Sequence, residues 1–312
     1  MTQSPILVTG SSGFIGSALV ASLIQCGFSV IGIDIKSPPD HLRSIDLYTH
    51  LDLDISNRHQ MLSIKDSSFI SKIQVIYHLA AQTSAQVSME DPLLDIRTNI
   101  IGILNIIELF KESTNKLPNI VFTSSMAVYG NSCDNMSAYN ETEPTPCSIY
   151  GYTKLASEKI IKDSFDSYKI LRLFNVYGPG QDFTNMNQGM LSIYIAQAIN
   201  NKHIVIKGSL DRTRDFVHID DVVEALTITI KRFPSKSVAN LGTGVSTDVL
   251  STINMIIEAF RRYKTEKITF NSIGPTPGDI HTSCDKDAGL NHFIQNAIPI
   301  EDGIDNWINK LL

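Results

Sequence analysis

Tyr150 and Lys154, in the segment YGYTK, have the residue types and the spacing for acid–base work. Side chains four apart share one face of a helix, and Ser148 is placed to cap the start of a helix that carries both. A phenol with a pKa of about 10 is a poor base at neutral pH. A neighbouring ammonium lowers that value, as does the positive ring of a bound dinucleotide, and Tyr150 then becomes a usable proton shuttle. The spacing alone is not diagnostic, because Tyr263 and Lys267 repeat it. That second pair follows no strand bearing hydroxyls and reads as an exposed helix end. The first lies one strand–helix unit after Thr123-Ser124-Ser125, a run of hydroxyls at the carboxyl end of an apolar strand that in another setting is only a turn.

A second chemistry-bearing stretch opens the chain. Gly10, Gly13 and Gly16 stand in a GxxGxxG frame between the apolar run Ile6-Leu7-Val8 and a helical pattern at Ile15, Leu19, Leu23 and Ile24. Strand, glycine turn and helix N-terminus in that order let backbone N–H groups and the helix dipole face a pyrophosphate without a basic side chain. Gly10 permits the turn, Gly13 lets a ligand approach the backbone, and Gly16 lets the helix lie close to the strand. The next strand, Ser29–Ile33, ends on Asp34, 18 residues after Gly16. An acid there suits the adenosine ribose hydroxyls and repels a 2′-phosphate, so NAD is expected ahead of NADP, with Lys36 the one nearby residue that softens the preference.

These stretches need a scaffold to position them, and the chain supplies a strand–helix rhythm, the pattern of a parallel sheet with helices on both faces. Strands are expected at Pro5–Thr9, Ser29–Ile33, Leu51–Leu53, Val75–His78, Ile120–Thr123 and Ile170–Leu173, with clear helices at Leu93–Glu112 and Tyr150–Ser164. Ligands in such sheets bind at the carboxyl ends of the strands. Asp54 and Ile55 follow the third strand, within reach of an adenine. His78-Leu79-Ala80-Ala81 follows the fourth, where small residues let the chain pass close beneath a ligand. Beyond Phe174–Gly180 the rhythm changes to helices near Asn187–Asn200 and Thr247–Tyr263 and short strands at His203–Lys207 and Lys267–Phe270. The expected fold class is therefore α/β, a Rossmann-type doubly wound parallel sheet with a smaller mixed α/β substrate-binding domain. Residues 1–175, with a re-entrant 216–242, form the first domain, and 176–215 with 243–312 the second. Arg212, Arg214 and Asp215 fall together between two elements, and Arg suits a bidentate phosphate contact. Gly242-Thr243-Gly244 lacks a nucleotide-loop context and reads as a turn.

Bulk composition bounds the function. The net charge is −6 with no basic block, which argues against a nucleic-acid partner. No apolar run approaches the length of a membrane span, and the first strand begins too early to leave room for a signal peptide. The four cysteines, Cys26, Cys133, Cys147 and Cys284, are scattered and lack metal-ligand spacing, so free thiols in the cytoplasm and no metal are expected.

Taken in order, TGSSGFIG, HLAA, SSMAVYG, YGYTK, RLFNVYGPGQ and RDFVHIDDV resemble the extended short-chain dehydrogenase/reductase superfamily, in particular its NAD-dependent nucleotide-sugar epimerase/dehydratase branch, and within it the UDP-hexose 4-epimerases. The resemblance runs from about Pro5 to Asp287. It implies that Gly10, Gly13, Phe14, Ile15, Gly16, Asp34, Asp54, Ile55, Leu79, Ala80, Ala81 and Asn99 hold NAD together with Tyr150 and Lys154. By the same resemblance Ser125 is the active-site hydroxyl, Tyr150 the acid/base and Lys154 its partner. Ser84, Ser125, Met126, Asn175, Gln188, Gly189, Arg214 and Asp279 would face a nucleotide-diphosphate sugar, with Asn175 and Arg214 on the diphosphate. The chemistry implied is hydride transfer between C4 of the sugar and a tightly held NAD.

The branches differ after that oxidation. Relatives that resemble 4,6-dehydratases carry an Asp-Glu pair directly after the active-site hydroxyl, where this chain has Met126-Ala127, which cannot move protons. A 4-epimerase needs no further acid or base, so the resemblance points to epimerisation. A 4-dehydrogenase, a 4-keto reductase and a dehydratase of the same fold are the alternatives, and a non-enzymatic dinucleotide-binding regulator would be expected to lack the tyrosine or the lysine. Two segments depart from the family pattern: Thr276 stands where hexose epimerases place an arginine before Gly-Asp, and Asn291–Gln295 replaces an aromatic-rich ending. Relatives pair through two long helices per subunit, so the resemblance also implies a homodimer through Leu93–Glu112 and Tyr150–Ser164.

Overall fold

The computed structural model describes residues 4–133, 137–138, 142–187, 189–232, 235–264, 267–274, 283–284, 289 and 293–312. The chain divides into two compact units, one of Met1–Gly130, Pro146–Arg172 and Val223–Ala239, the other of Asn131–Thr145, Leu173–Val222 and Asn240–Leu312. In chain order the strands are β1 Ile6–Thr9, β2 Val30–Asp34, β3 Tyr48–Asp52, β4 Val75–His78, β5 Asn119–Ser125, β6 Ser137–Ala138 and β7 Tyr168–Leu173. They continue with β8 Asn175–Tyr177, β9 His203–Ile206, β10 Thr213–His218, β11 Ser237–Leu241, β12 Ser246–Asp248, β13 Thr269–Ser272 and β14 Ser283–Cys284. The α-helices are α1 Phe14–Gln25, α2 Arg58–Leu62, α3 Ala85–Glu90, α4 Pro92–Asp95, α5 Gly102–Thr114, α6 Ile149–Ser164, α7 Met190–Asn201, α8 Ile219–Arg232, α9 Val249–Tyr263 and α10 Ile300–Leu311.

The first unit is a Rossmann-type α/β fold built on a seven-stranded parallel sheet in the order β11-β7-β5-β4-β1-β2-β3. β1 is buried along its whole length and apolar from Ile6 to Val8, as expected of a central parallel strand covered on both faces, and ends on the hydroxyl of Thr9. Its Ile6–Thr9 pairs in register with Val30–Ile33 of β2 and with Val75–His78 of β4. That register brings Gly10, Asp34 and Leu79 to one end of the sheet. Successive strand residues face opposite ways. Ile76 joins the core cluster of Leu7, Ile33, Ile103, Ile106 and Phe110, while the hydroxyl of its neighbour Tyr77 donates to the Leu226 carbonyl of α8 at 2.8 Å.

The single helix expected over Leu93–Glu112 is not continuous. α4 runs into a π-helical turn, Ile96–Ile101, before α5 begins. Wide turns of this kind recur at functional sites, and here the turn carries Asn99 inward to 2% exposure. α5 then lies close against Ile55: a Cβ at Gly102 would stand 2.5 Å from the Ile55 Cδ1, so a larger residue there would have to push that side-chain end aside.

The second unit contains the three-stranded sheet β12-β10-β8 and two two-stranded pairs, β13 with β9 and β14 with β6. β8 runs parallel to β10 and β12 antiparallel to it. Its core gathers Tyr177 of β8 and Phe216 of β10 with Tyr194, Ile253, Ile256, Phe260 and Trp307 from the apolar faces of α7, α9 and α10. Among the described residues no helix is long and apolar enough to cross a membrane.

Candidate active site

The glycine turn is shaped by steric exclusion. Gly10 has φ +72°, and a Cβ on it would stand 2.7 Å from the Ala80 nitrogen. A Cβ on Gly16 would stand 1.9 Å from the Gly10 carbonyl oxygen, so α1 can start against the turn only with glycine there. Gly13, by contrast, is exposed and meets nothing but the Gly10 oxygen at 3.3 Å, leaving its backbone open to a ligand. Gly13 caps α1 without a side-chain hydrogen bond, so no side chain shields the first N–H groups of the helix; the helix N-terminus is a ready anion site. The Ser12 Oγ is buried and has no partner among the described residues. Asp34 accepts from the Ser12 N–H at 2.9 Å and from the Lys36 N–H at 2.9 Å, which fixes the acid beside the turn. An open glycine backbone, an orphaned hydroxyl and a fixed acid fit a dinucleotide.

The flanking residues named from the sequence are placed as follows. Phe14 and Ile15 open α1. Leu79 and Ala80 donate their N–H groups to the Thr9 carbonyl (3.1 Å) and Thr9 Oγ1 (3.3 Å), which holds the β4 end, and Ala81 with it, beside the glycine turn. Asp54 accepts from the Ser56 N–H, and the Ile55 carbonyl accepts from Asn105. Asn99 donates to the Gln82 carbonyl (3.2 Å) and to Thr153 Oγ1 (3.0 Å) and accepts from the Gln82 N–H (2.9 Å), so both its amide protons are committed within the protein. Ser84 caps α3 by accepting from the Val87 N–H.

Ser125 ends β5 and Tyr150 lies in the first turn of α6, which brings the Ser125 hydroxyl near enough to the Tyr150 phenol to bear on its titration. Two local features make the meeting possible. Ser148 accepts from the Gly151 N–H at 3.1 Å and so starts the helix. Gly151 itself lets the helix approach, since a Cβ there would stand 2.4 Å from the Ala127 carbonyl oxygen. Lys154, one turn on, is 2% exposed and holds its ammonium 4.3 Å above the Phe122 ring, whose plane His78 also stacks on at 5.6 Å between centroids.

Burial governs the titration of all three groups. It pushes the Tyr150 phenol up to about 12, opposed by the Ser125 hydroxyl and reinforced by the Asp95 carboxylate. It brings Lys154 down to about 7, with Glu158 opposing. His78 falls to about 3 through burial and the nearby Lys154, so it stays neutral, and its Nδ1 shares a 2.7 Å hydrogen bond with Thr9 Oγ1. From the residue types alone the Lys154 ammonium is expected to lower the phenol's pKa. In the chain by itself desolvation wins instead, because neither group's charge is fully matched.

Asn175, Gly189 and Arg214 belong to the second unit. Asn175 donates to the Asp215 carbonyl (3.1 Å), and Arg214 donates to the Thr213 carbonyl (2.7 Å). Gly189 precedes α7 at φ +85°. Arg212 donates to the Tyr194 hydroxyl at 3.2 Å. Gln188, Asp279, Thr276 and Asn291-His292 lie outside the described residues. The competing pair separates: Tyr263 ends α9 with its hydroxyl on Asp305, and Lys267 falls after the helix.

Three buried charged residues beside the pair escaped the sequence reading. Asp95 accepts from the Gln82 amide and from Ser88 (2.5 Å), Glu158 accepts from Ser124 (2.6 Å), and Arg172 binds Glu158. The signals were present as Glu158 four after Lys154 and as an arginine inside the apolar strand ILRL.

A dinucleotide-binding glycine turn and a Ser/Tyr/Lys set on one Rossmann-type sheet define a nicotinamide-dependent α/β enzyme. The model of the NAD dependent epimerase/dehydratase family matches residues 6–242, and the chain belongs to that family, with NAD as its cofactor. A Methanocaldococcus jannaschii protein provisionally named UDP-glucose 4-epimerase is 33% identical over 259 residues, covering 80% of this chain and 81% of the relative. The dTDP-L-rhamnose 4-epimerase of Burkholderia thailandensis is 30% identical over 80% of each chain. Among solved structures, the UDP-glucose 4-epimerase of Thermotoga maritima with UDP-glucose superposes with a TM-score of 0.82 at 28% identity, covering 98% of both chains.

Proposed function

We propose that the chain is a nucleotide-sugar 4-epimerase that passes through a 4-keto sugar. NAD held by Gly10, Gly13, Gly16 and Asp34 would supply hydride acceptance and return at C4 of the sugar. Tyr150 Oη takes the proton of the C4 hydroxyl and gives it back, Ser125 steadies that oxygen, and the Lys154 ammonium favours the phenolate that this exchange needs. Asn175 and Arg214, with Gln188 and Asp279, are our assignments for the diphosphate and nucleotide.

The observation that carries the reading is that, among the described residues, no free second proton carrier stands beside Ser125. Met126 and Ala127 follow it, and of the two buried carboxylates of this region Asp95 is tied to Gln82 and Ser88, and Glu158 to Ser124, Arg172 and Lys162. Elimination of water from C6 needs a free acid and base, whereas epimerisation needs only the C4 proton exchange. The test is incubation with UDP-, GDP-, CDP- and dTDP-sugars and no added cofactor, followed by mass and proton NMR. The expected product has unchanged mass and an altered H4 coupling; loss of water would make the chain a dehydratase. Tyr150→Phe is expected to keep NAD and lose nearly all turnover, a drop on the order of 100-fold or more for loss of a positioned proton carrier.

The same region supports a homodimer. Met89, Leu93, Ile96, Leu104, Ile149 and Tyr152 leave large apolar side chains at 40–79% exposure on the helices from α3 to α6; patches of this kind mark association surfaces. Light scattering at the mass of two chains is the expected result.

A further inference from the structure

Lys154 and Glu158 stand one turn apart on α6, on the same face. Both are buried, at 2% and 0% exposure. The Glu158 carboxylate is held from three directions. Ser124 donates to Oε1 at 2.6 Å, Arg172 of β7 donates to Oε1 (2.9 Å) and Oε2 (2.8 Å), and Lys162 lies 3.9 Å away on the solvent side. Arg172 in turn donates to the Tyr129 hydroxyl at 2.9 Å and lies 4.9 Å over its ring. Apolar residues of equal volume often stabilise a core as well as a buried ion pair does, so stability alone does not account for this network. Its members do reach both halves of the acid–base site: Ser124 directly precedes Ser125, and Glu158 sits on the helix of Tyr150 and Lys154.

We propose that Glu158 is the positioning residue of the site: clamped by Arg172 and Ser124, its carboxylate holds the Ser125 strand end against α6 and supplies the negative charge that faces Lys154. The inference rests on the reading of Tyr150 and Lys154 as the acid–base pair. The groups around Lys154 leave Glu158 in that role. From β4 comes His78, neutral above its low pKa; from β5 comes the Phe122 ring; on α6 stands Tyr150; Arg172 of β7 lies behind Glu158; and Asp95 bears on Tyr150. Burial drives Lys154 toward the neutral amine and Glu158 opposes it. Removing that charge therefore moves the Lys154 titration to lower pH. A fall of about one unit leaves roughly a tenth of the ammonium at a pH above both midpoints.

The experiment is a pH titration of lysine ε-carbon resonances by NMR on the full chain and its Glu158→Gln variant, with the Lys154 signal assigned by its absence in Lys154→Met. The expected result is a midpoint lower by about one unit or more in Glu158→Gln, with turnover of the identified sugar about tenfold lower at pH 8 and KM within about twofold. An unmoved midpoint overturns the inference. If Glu158→Gln does not fold, Glu158→Gln with Arg172→Met removes both charges, leaves no unpaired ion and is read in the same way. Failure of the underlying reading is distinguishable: full turnover by Tyr150→Phe overturns both, whereas an inactive Tyr150→Phe with an unmoved Lys154 midpoint overturns the role of Glu158 alone.

Discussion

Both units of the molecule bury a carboxylate completely, the first Glu158 (and Asp95 beside it) and the second Asp215, and Glu158 and Asp215 are stabilised by different means. Glu158 is met by a cation, Arg172, and a hydroxyl, Ser124. Asp215 meets no cation among the described residues. It accepts from the N–H groups of Thr243 (2.8 Å), Gly244 (2.9 Å) and Cys284 (3.0 Å) and from the Thr243 hydroxyl (2.7 Å). Burial still pushes the Asp215 carboxyl above the usual range, with those four bonds opposing. A charge met by side chains can be retuned by substitution and can bear on a neighbour such as Lys154. A charge met by backbone serves to shape a loop. The comparison thus separates a residue placed for chemistry from one placed for architecture.

The sharpest way to break the contrast is to strip the cation from the first carboxylate. Arg172→Met leaves Glu158 buried with only the more distant Lys162 ammonium, at 3.9 Å, in place of the guanidinium and is expected to cost about 3–5 kcal/mol in urea unfolding, whereas the double change with Glu158→Gln costs much less. Equal losses in the two would end the distinction.

Next comes Lys154→Met, expected to act in the opposite direction. The folded pKa of Lys154 lies at about 7, below the ordinary lysine value of 10.5. At pH 7 and below, folding buries an ammonium that the unfolded chain keeps in water. As pH rises from about 7 toward 10.5 the unfolded chain holds the proton that the folded one has released, so the wild type gains stability over that window. Lys154→Met is therefore expected to be more stable at pH 7 by on the order of 2–4 kcal/mol, with the gap closing toward pH 10. A constant gap from pH 6 to 10 would show that packing, not charge, sets it.

For the second carboxylate, Asp215→Asn turns an amide NH₂ toward donors that need acceptors. A loss of about 1–3 kcal/mol is expected from the unsatisfied N–H groups, with kcat, if turnover survives, keeping the wild-type pH profile. Smallest is Gly242→Ala, whose Cβ would stand 2.5 Å from the Cys284 Cβ and 2.8 Å from Asp215 Oδ2. It is expected to cost about 1–2 kcal/mol by overpacking, read as a lowered midpoint of thermal unfolding.

What the sequence made legible, and what it left hidden, divides along the same line. The parallel sheet was readable because buried strands are continuous apolar runs and because Gly10, Gly13 and Gly16 lie next to one another in the chain. NAD was readable for that reason, from the glycine turn together with Asp34. The π-turn at Ile96–Ile101 was not, since the apolar period of a π-turn over so few residues does not stand out from that of an α-helix. The Glu158–Arg172 pair and the cradle of Asp215 were hidden because their partners are far apart in sequence: Ser124 and Arg172 meet at Glu158, and Cys284 reaches back to Asp215. Gly242-Thr243-Gly244 reads locally as a turn, and its neighbourhood alone does not disclose that the turn encloses a carboxylate.

The order β11-β7-β5-β4-β1-β2-β3 carries a consequence for biosynthesis. The first six strands of that sheet are complete once Leu173 has been made, but the seventh, which covers the open side of β7, begins only at Ser237. At a typical elongation rate the ribosome needs on the order of several seconds to cross that interval. Throughout it β7 offers unpaired N–H and C=O groups to any other extended chain nearby. The long excursion of the polypeptide between these two neighbours therefore sets a timed window of vulnerability, during which a nascent chain depends on a chaperone or on its own early-folded helices for protection.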